Sequence, residues 1–366
     1  AHLGPSASWA KPRYLAWGVT TVRDVHSGIG SLAALRKRGD AGRPDGPRVY
    51  AAGAMLDGLP TTYPDAIGIS NETEARKGVD QLVTAGADFI KVYTRIDLPL
   101  LRAIIDEARA FNLNVTGHLG MTDAVTAAKA GIASIEHLTG IPEAASKSPA
   151  SLFAAHYRGF YSGWTAFERS WADVDSVALA RVAQRLADTK ITIVPTLVLH
   201  ETLSRLDEPG LSKDPALQDV PGDQLQEWDV RGMIARAGWT ELDFDAFRRS
   251  RSMQDFFIRA FAAAGGRVAA GTDASNQMLV PGYSEHREVE LLVRAGLTPR
   301  EALRAATRNA AVLLGVDSLG LVAPGKVADL VVLSKDPLVD IRNTRAIESV
   351  VARGQMLDVD SIRASW

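Results

Sequence analysis

Four side chains suited to metal chemistry fall at the ends of four strand-like segments. Lys91 lies in DFIKVY, His118 in NVTGHL, His137 in SIEHLT and Asp273 in RVAAGTDAS, and His2 stands near the first residue. Imidazole and carboxylate are the ligands that zinc-type ions take. A lysine ammonium is not a ligand, but burial lowers the lysine pKa and can leave a neutral amine. Between Ile90 and Val92, Lys91 is an unusual residue for a buried strand unless it is paired or modified. Each residue alone has a plain structural reading: a lone strand-end histidine is more often structural, and Asp273 after Gly-Thr could cap a turn. Their joint placement says more. Residues distant in sequence, each at the C-terminal end of a strand, meet in one place when the strands are parallel and closed into a barrel, and that rim is where a barrel does its chemistry.

The elements that would position them follow a repeating order. Strands are predicted at 18–24, 48–53, 88–93, 114–119, 134–139, 191–199 and 267–273. They are short, rich in Val, Ile and Thr, and nearly continuous in apolar character, as strands covered on both faces are. Helical patterns lie between them. Asn71 with Glu74 forms an N-cap signature for a helix to about residue 85, stopped by Gly86. Further helices are predicted at 99–112, 122–130, 173–189 and, from the Thr298-Pro299-Arg300-Glu301 start, to about residue 314. Repeated βα units imply a parallel sheet with right-handed crossovers. With an eighth strand expected ahead of residue 2, the fold class is α/β, a (β/α)8 TIM-like barrel. Residues 1–315 make the barrel, with insertions at 140–172 and 200–250 over its mouth. Residues 316–366, with VAPGKVADLVVLS and AIESVVARGQMLD, make the C-terminal part of a small accessory β-sandwich.

Composition narrows the function classes. The chain has 366 residues, 46% hydrophobic and 23% charged, with a net charge of −2. That balance carries no basic footprint for nucleic acid. No apolar run reaches the ~20 residues that cross a bilayer. Cysteine is absent, which excludes disulfides and thiol catalysis. The expected partner is a small-molecule substrate, with a homo-oligomer possible. A cytoplasmic setting is favoured, although the natural N-terminus is expected to lie upstream of Ala1.

The chain resembles the amidohydrolase superfamily, in its imidazolonepropionase- and prolidase-like branch. The likeness runs through GVTTVRD, FIKVY, GHL, IEHLTG, GTDA, SEHREVELLVRAGLTPREALRAATRNAA and PGKVADLVVL. It implies a His-x-His pair on strand 1, of which His2 would be the second member, the first preceding Ala1. It places Lys91, His118, His137 and Asp273 on strands 4, 5, 6 and 8. It further implies one or two divalent ions, zinc being expected, held by His2, Lys91, His118, His137 and Asp273. In the binuclear form Lys91 is a carbamate bridging both ions. Asp273 is the catalytic residue, carrying a proton from water to a leaving nitrogen. The expected reaction is hydrolysis of a C–N bond in an amide, a peptide-like or a cyclic amide substrate. The alternatives are a catalytically silent relative that serves as a structural or partner-binding protein, and an esterase or phosphotriesterase using the same site.

Four residues are expected at the substrate. Tyr93 and Arg95 follow Lys91, and Arg95 could fork onto a carboxylate. His200 follows the strand expected to end at Leu199. Trp164 belongs to an aromatic group in the first insertion, with Phe160, Tyr161, Phe167 and Trp171, which either packs the insertion down or lines an apolar pocket. His26 could approach the metals, His286 reads as structural, and His156 has no assigned role.

Overall fold

A computed structural model describes residues 1–4, 8–37 and 44–366. Its strands are β1 Thr21–Asp24, β2 Arg48–Ala51, β3 Leu56–Gly58, β4 Ile67–Ile69, β5 Ile90–Val92, β6 Val115–Gly117, β7 Ser134–Glu136, β8 Thr192–Val194 and β9 Arg267–Val268. Three more close the chain: β10 Leu330–Leu333, β11 Ile347–Ala352 and β12 Gln355–Leu357.

The strands β3, β5, β6, β7, β8 and β9 pair in that order, all parallel, with β4 on the far side of β3. The pair β1–β2 is also parallel and continues the ring, because Ala51 accepts a bond from the amide of Asp88, just ahead of β5. All three residues of β5, β6, β7 and β8 are buried. Cover on both faces encloses even their polar members, Lys91, Thr116, Ser134, Glu136 and Thr192. Between β9 and β1 the ring is bridged by Ala1 and His2. The His2 amide donates to Ala274 O at 2.8 Å, the Ala1 amine donates to Arg23 O at 3.0 Å, and Ala1 O accepts from Val25 N at 3.0 Å. Beside this bridge lies a cavity of about 580 Å³ bounded by Val22, Ala269, Thr272, Glu285, Val289 and Leu330.

Helices cover the strands as their caps direct. Asn71 accepts from Glu74 N ahead of the helix Glu72–Ala85, which ends on Gly86 at φ 89°. Asp123 and Asp175 cap the helices Ala124–Ala130 and Ser176–Asp188 in the same way. Thr298 and Glu301 form the expected capping box, although the helix it starts runs through a π turn at Ala305–Asn309.

Two readings of the sequence are corrected. The segment 191–199 is not one strand: β8 stops at Val194, Pro195 follows, and Leu197–Leu203 is helical. Proline lacks the amide that a ladder needs, so it ends the strand. The short strands β3 and β4, with glycines at 58 and 68, went unpredicted, because three residues around a glycine carry no periodic signal.

Both insertions are helical. The first holds Ile141–Ala145, Ala150–Arg158 and Phe160–Asp173; the second leads to the long helix Glu241–Ala263. The last two of these helices pack together through Phe167, Trp171, Phe247 and Phe257, all at most 1% exposed. Each such ring is worth about 3–5 kcal/mol against alanine. The C-terminal sheet is antiparallel, β10–β11–β12, and meets the barrel through Leu15 and Ala16 of the helix Ala10–Ala16.

Candidate active site

The backbone at the strand ends is unusual. His137, Leu138, Thr196 and Asp273 hold φ of 58°, 59°, 49° and 60°. Side chains with a Cβ rarely adopt this left-handed region, at a cost of about 1–3 kcal/mol each. Such turns occur where the surroundings over-determine the backbone, and here they fall at the rim that the sequence singled out.

Asp273 and His137 meet there with His2. His2 Nε2 stands 2.9 Å from Asp273 Oδ1, and His2 Nδ1 stands 3.3 Å from the His26 carbonyl. Asp273 Oδ2 accepts from Asn276 Nδ2 at 2.6 Å and lies 3.8 Å from His137 Nε2. The other nitrogen of His137 bonds Thr196 Oγ1 at 2.8 Å, which turns Nε2 towards Asp273. The His118 ring lies 5.1 Å from that of His137 and makes no hydrogen bond among the described residues. Lys91 is 1% exposed, and its Nζ has no hydrogen-bond partner among the described residues.

A buried charge cluster underlies these groups. Glu136 takes Arg23 Nη2 at 2.7 Å and Ser134 Oγ at 2.9 Å, and it also accepts from Thr116 Oγ1. Burial disfavours the Glu136 carboxylate, but Arg23, Lys91 and His137 outweigh it and pull its pKa down to about 2. Burial brings Lys91 down to about 8, against the pull of Glu136 and Asp273. Burial also lowers His137 to about 4 and takes His118 well below the usual histidine value. Asp273 resists burial through His2 and His137 and lies well below the usual carboxylate range. At neutral pH the rim therefore offers neutral imidazoles at 118 and 137 and an ionised carboxylate, the states that a cation takes as ligands. Among the described residues no group of three His, Asp or Glu side chains is gathered as a formed metal cluster.

One wall of the site is aromatic. Tyr93 lies 4.7 Å from the His118 ring, Tyr63 5.6 Å from Tyr93, and Phe160 6.4 Å from Tyr93. Trp164 packs 5.8 Å from His118 and stacks on His200 at 5.6 Å. Trp164 is 4% exposed, so Phe160, only half-buried, is the more accessible ring. Of the insertion aromatics, Phe167 and Trp171 pack the insertion down, while Phe160 adjoins Tyr93 and His118 in the aromatic wall.

Two residues expected at the substrate have hydrogen-bond partners in the protein. Arg95 Nη1 donates to Pro60 O at 2.6 Å and Nη2 to Tyr157 O at 3.4 Å, so its guanidinium fastens two loops. His200 sits on a helix after the turn at Thr196 and is 2% exposed, with Nδ1 on Glu168 and Nε2 on His137 O. His286 bonds Trp17 O at 3.0 Å, which suits a structural role. His156 pairs with Glu143 at 3.1 Å and is 3% exposed. His26 bonds Asp65 at 2.9 Å and touches Tyr63.

Sequence reasoning missed Arg23, Glu136, Thr196, Glu168 and Tyr63. For the first two a signal existed: charged residues inside apolar strands. For the others it did not, because their roles depend on turns and insertions.

The amidohydrolase family profile matches residues 13–357. Ochratoxinase of Aspergillus niger is 25% identical over 390 aligned positions, covering 92% of this chain and 65% of that protein. An imidazolonepropionase of Deinococcus deserti is 42% identical over 87 residues, covering 24% of this chain and 22% of its own length. The chain thus spans less than two thirds of these curated relatives. The solved structure of a putative prolidase from Bifidobacterium longum superposes with a TM-score of 0.67 at 25% identity, over 100% of this chain and 82% of that one. A profile match across almost the whole chain, a parallel barrel, and the rim that carries Lys91, His118, His137 and Asp273 agree: this protein belongs to the amidohydrolase family.

Proposed function

We propose that the protein is a metal-dependent hydrolase that cleaves a C–N bond of a small amide, peptide-like or cyclic amide substrate. The observation that carries this reading is Lys91 Nζ, buried with no hydrogen-bond partner among the described residues and within electrostatic reach of Glu136, Asp273 and the imidazoles of His118 and His137. An unsatisfied buried amine is costly and calls for a partner. A divalent ion fits that need, and the donor set favours zinc. His118 and His137, with Lys91 as amine or as carbamate, would hold one ion; His2, Lys91 and Asp273 would hold a second. When bound, such an ion polarises the scissile carbonyl and acidifies water.

The chain's own groups supply the rest. Asp273 accepts the proton lost by attacking water and returns it to the departing nitrogen. Asn276 and His2 orient its two oxygens for that exchange. A cation at His2 Nε2 would take the place of the proton now shared with Asp273. Thr196 holds His137 Nδ1 and so leaves Nε2 as the ligating atom. Tyr63, Tyr93 and Phe160 would receive the apolar part of the substrate and exclude water from it. The family resemblance supports this assignment, and the His2–Asp273 and His137–Asp273 approaches support the part of it that those three residues carry.

The test is zinc content, together with hydrolysis of a panel of dipeptides, N-acyl amino acids, lactams and aryl esters. Stoichiometric zinc and turnover of the amides support the reading. A protein that takes up no divalent metal and hydrolyses none of the panel overturns it.

A further inference from the structure

His200 and Glu168 form a buried polar pair that the chemistry above does not use. His200 lies on the helix Leu197–Leu203, and Glu168 on the insertion helix Phe160–Asp173. Both are 2% exposed. His200 Nδ1 is bonded to Glu168 Oε1, and His200 Nε2 lies 3.1 Å from the His137 carbonyl. A carbonyl can only accept, so Nε2 carries the hydrogen. Glu168 is held in turn. Its Oε2 accepts from Gln254 Nε2 at 3.1 Å, and its own carbonyl accepts from Ser250 Oγ at 2.6 Å. Gln254 and Ser250 are fully buried on the helix Glu241–Ala263.

The carbonyl that His200 grips belongs to a strained peptide. His137 and Leu138 are consecutive left-handed residues without being glycine. Three contacts hold the first of them: His137 N on Val194 O at 2.9 Å, its ring on Thr196, and its carbonyl on His200. Two of these come from the β8 segment, and the third reaches back through Glu168 into the insertion. Trp164, one helical turn before Glu168, stacks on His200 and keeps water away. A pair that merely filled a core would be cheaper as apolar residues, since a buried ionisable pair seldom stabilises a fold on balance.

We infer that His200 and Glu168 are positioning residues: Glu168 fixes the His200 ring, and His200 Nε2 clamps the His137 carbonyl so that the His137 imidazole faces the metal site. The inference rests on the reading of His137 as a ligand. It makes the insertion helix a support of the site as well as a cover for it.

The test uses the whole protein. The double variant Glu168→Gln with His200→Phe removes the donor, keeps a ring against Trp164 and leaves no buried carboxylate unpaired. Zinc affinity, measured by competition with a chelator, should fall about 10–100-fold, the usual loss when an outer partner of a ligand is removed. KM measured at saturating zinc should change less than about twofold if the pair acts only through His137. His200→Gln, which restores a donor near Nε2, should recover most of the zinc affinity. In the metal-free protein the 15N signals of the His137 ring should move in the double variant. Unchanged zinc affinity together with unmoved His137 signals overturns the inference. If the double variant does not fold, Glu168→Gln alone decides, by a smaller loss in the same direction or by none. If the unaltered protein binds no zinc, the metal reading fails by itself, and the His137 signals still judge the pair.

Discussion

On the flank of the mouth formed by β7, β8 and the first insertion, the polar groups around His137 are paired and packed. Thr196, His200, Glu168 and Gln254 make a continuous set of hydrogen bonds beneath Trp164. The opposite flank is built differently. There, among the described residues, Ala1 and His2 bridge β9 to β1, the His2 side chain is 33% exposed, and a cavity of about 580 Å³ adjoins the bridge. Among the described residues the same rim thus holds His137 through three contacts and His2 through Ala274, His26 and Asp273. Metal sites need their ligands fixed to within about 0.5 Å, so the two flanks should differ in how firmly they keep an ion.

The largest effect is expected at the group between the flanks. Lys91→Ala should abolish bound metal and lower kcat by about 10³-fold or more, given that an ion contributes several kcal/mol. Circular dichroism should stay close to that of the parent; full activity with normal zinc would remove Lys91 from the site. Asp273→Asn comes next, with kcat reduced about 10²–10⁴-fold for the loss of a general base while part of the zinc remains. Turnover near the parent rate would end that role.

The flanks themselves are compared by truncating each histidine. His137→Ala should remove tight zinc binding altogether, whereas His2→Ala should weaken it by only about tenfold, or about 1.4 kcal/mol. Equal losses would mean that the His2 flank is as well organised as the dense one.

The last effect is read on stability instead of metal binding and concerns the cost of the dense flank. Glu288, fully buried, accepts from Val198 N at 2.8 Å, and burial raises its pKa to about 8. The unfolded chain gives up this proton near the ordinary value of 4.5, whereas the folded chain keeps it until about 8. Stability is therefore fully present below 4.5 and is lost as pH rises towards 8. Glu288→Gln keeps the acceptor without the ionisation. It should be more stable than the parent at pH 8 by roughly 2–4 kcal/mol, with the gap closing at pH 5. A gap that does not vary with pH in urea titrations would contradict this.

Much of this arrangement was legible in the sequence, for a physical reason. Strand ends in a parallel barrel are marked by where an apolar run stops, so His118 and His137, directly after β6 and β7, could be placed before any coordinates, whereas Lys91 falls in the middle of β5 and Asp273 five residues beyond β9, which ends at Val268 and not at 273 as expected. Helix caps such as Asn71 and Thr298 are equally local and were read correctly. What escaped depends on the chain folding back on itself. Pro195 redirected the segment carrying His200, and no local pattern marks the left-handed turns at His137 and Thr196. The partners Glu168 and Gln254 stand 32 and 54 residues from His200, on insertion helices whose docking no periodicity reveals. Arg95 illustrates the converse: its type suggested anion binding, but its setting gave it backbone carbonyls to hold.

That use of Arg95 has a thermodynamic consequence. With the Arg95 guanidinium tied to Pro60 and Tyr157, a substrate of the kind proposed would meet the rings of Tyr63, Tyr93 and Phe160. Docking against such rings leaves little for dissolved salt to screen. Calorimetry should register it as a negative heat-capacity change that added sodium chloride scarcely alters.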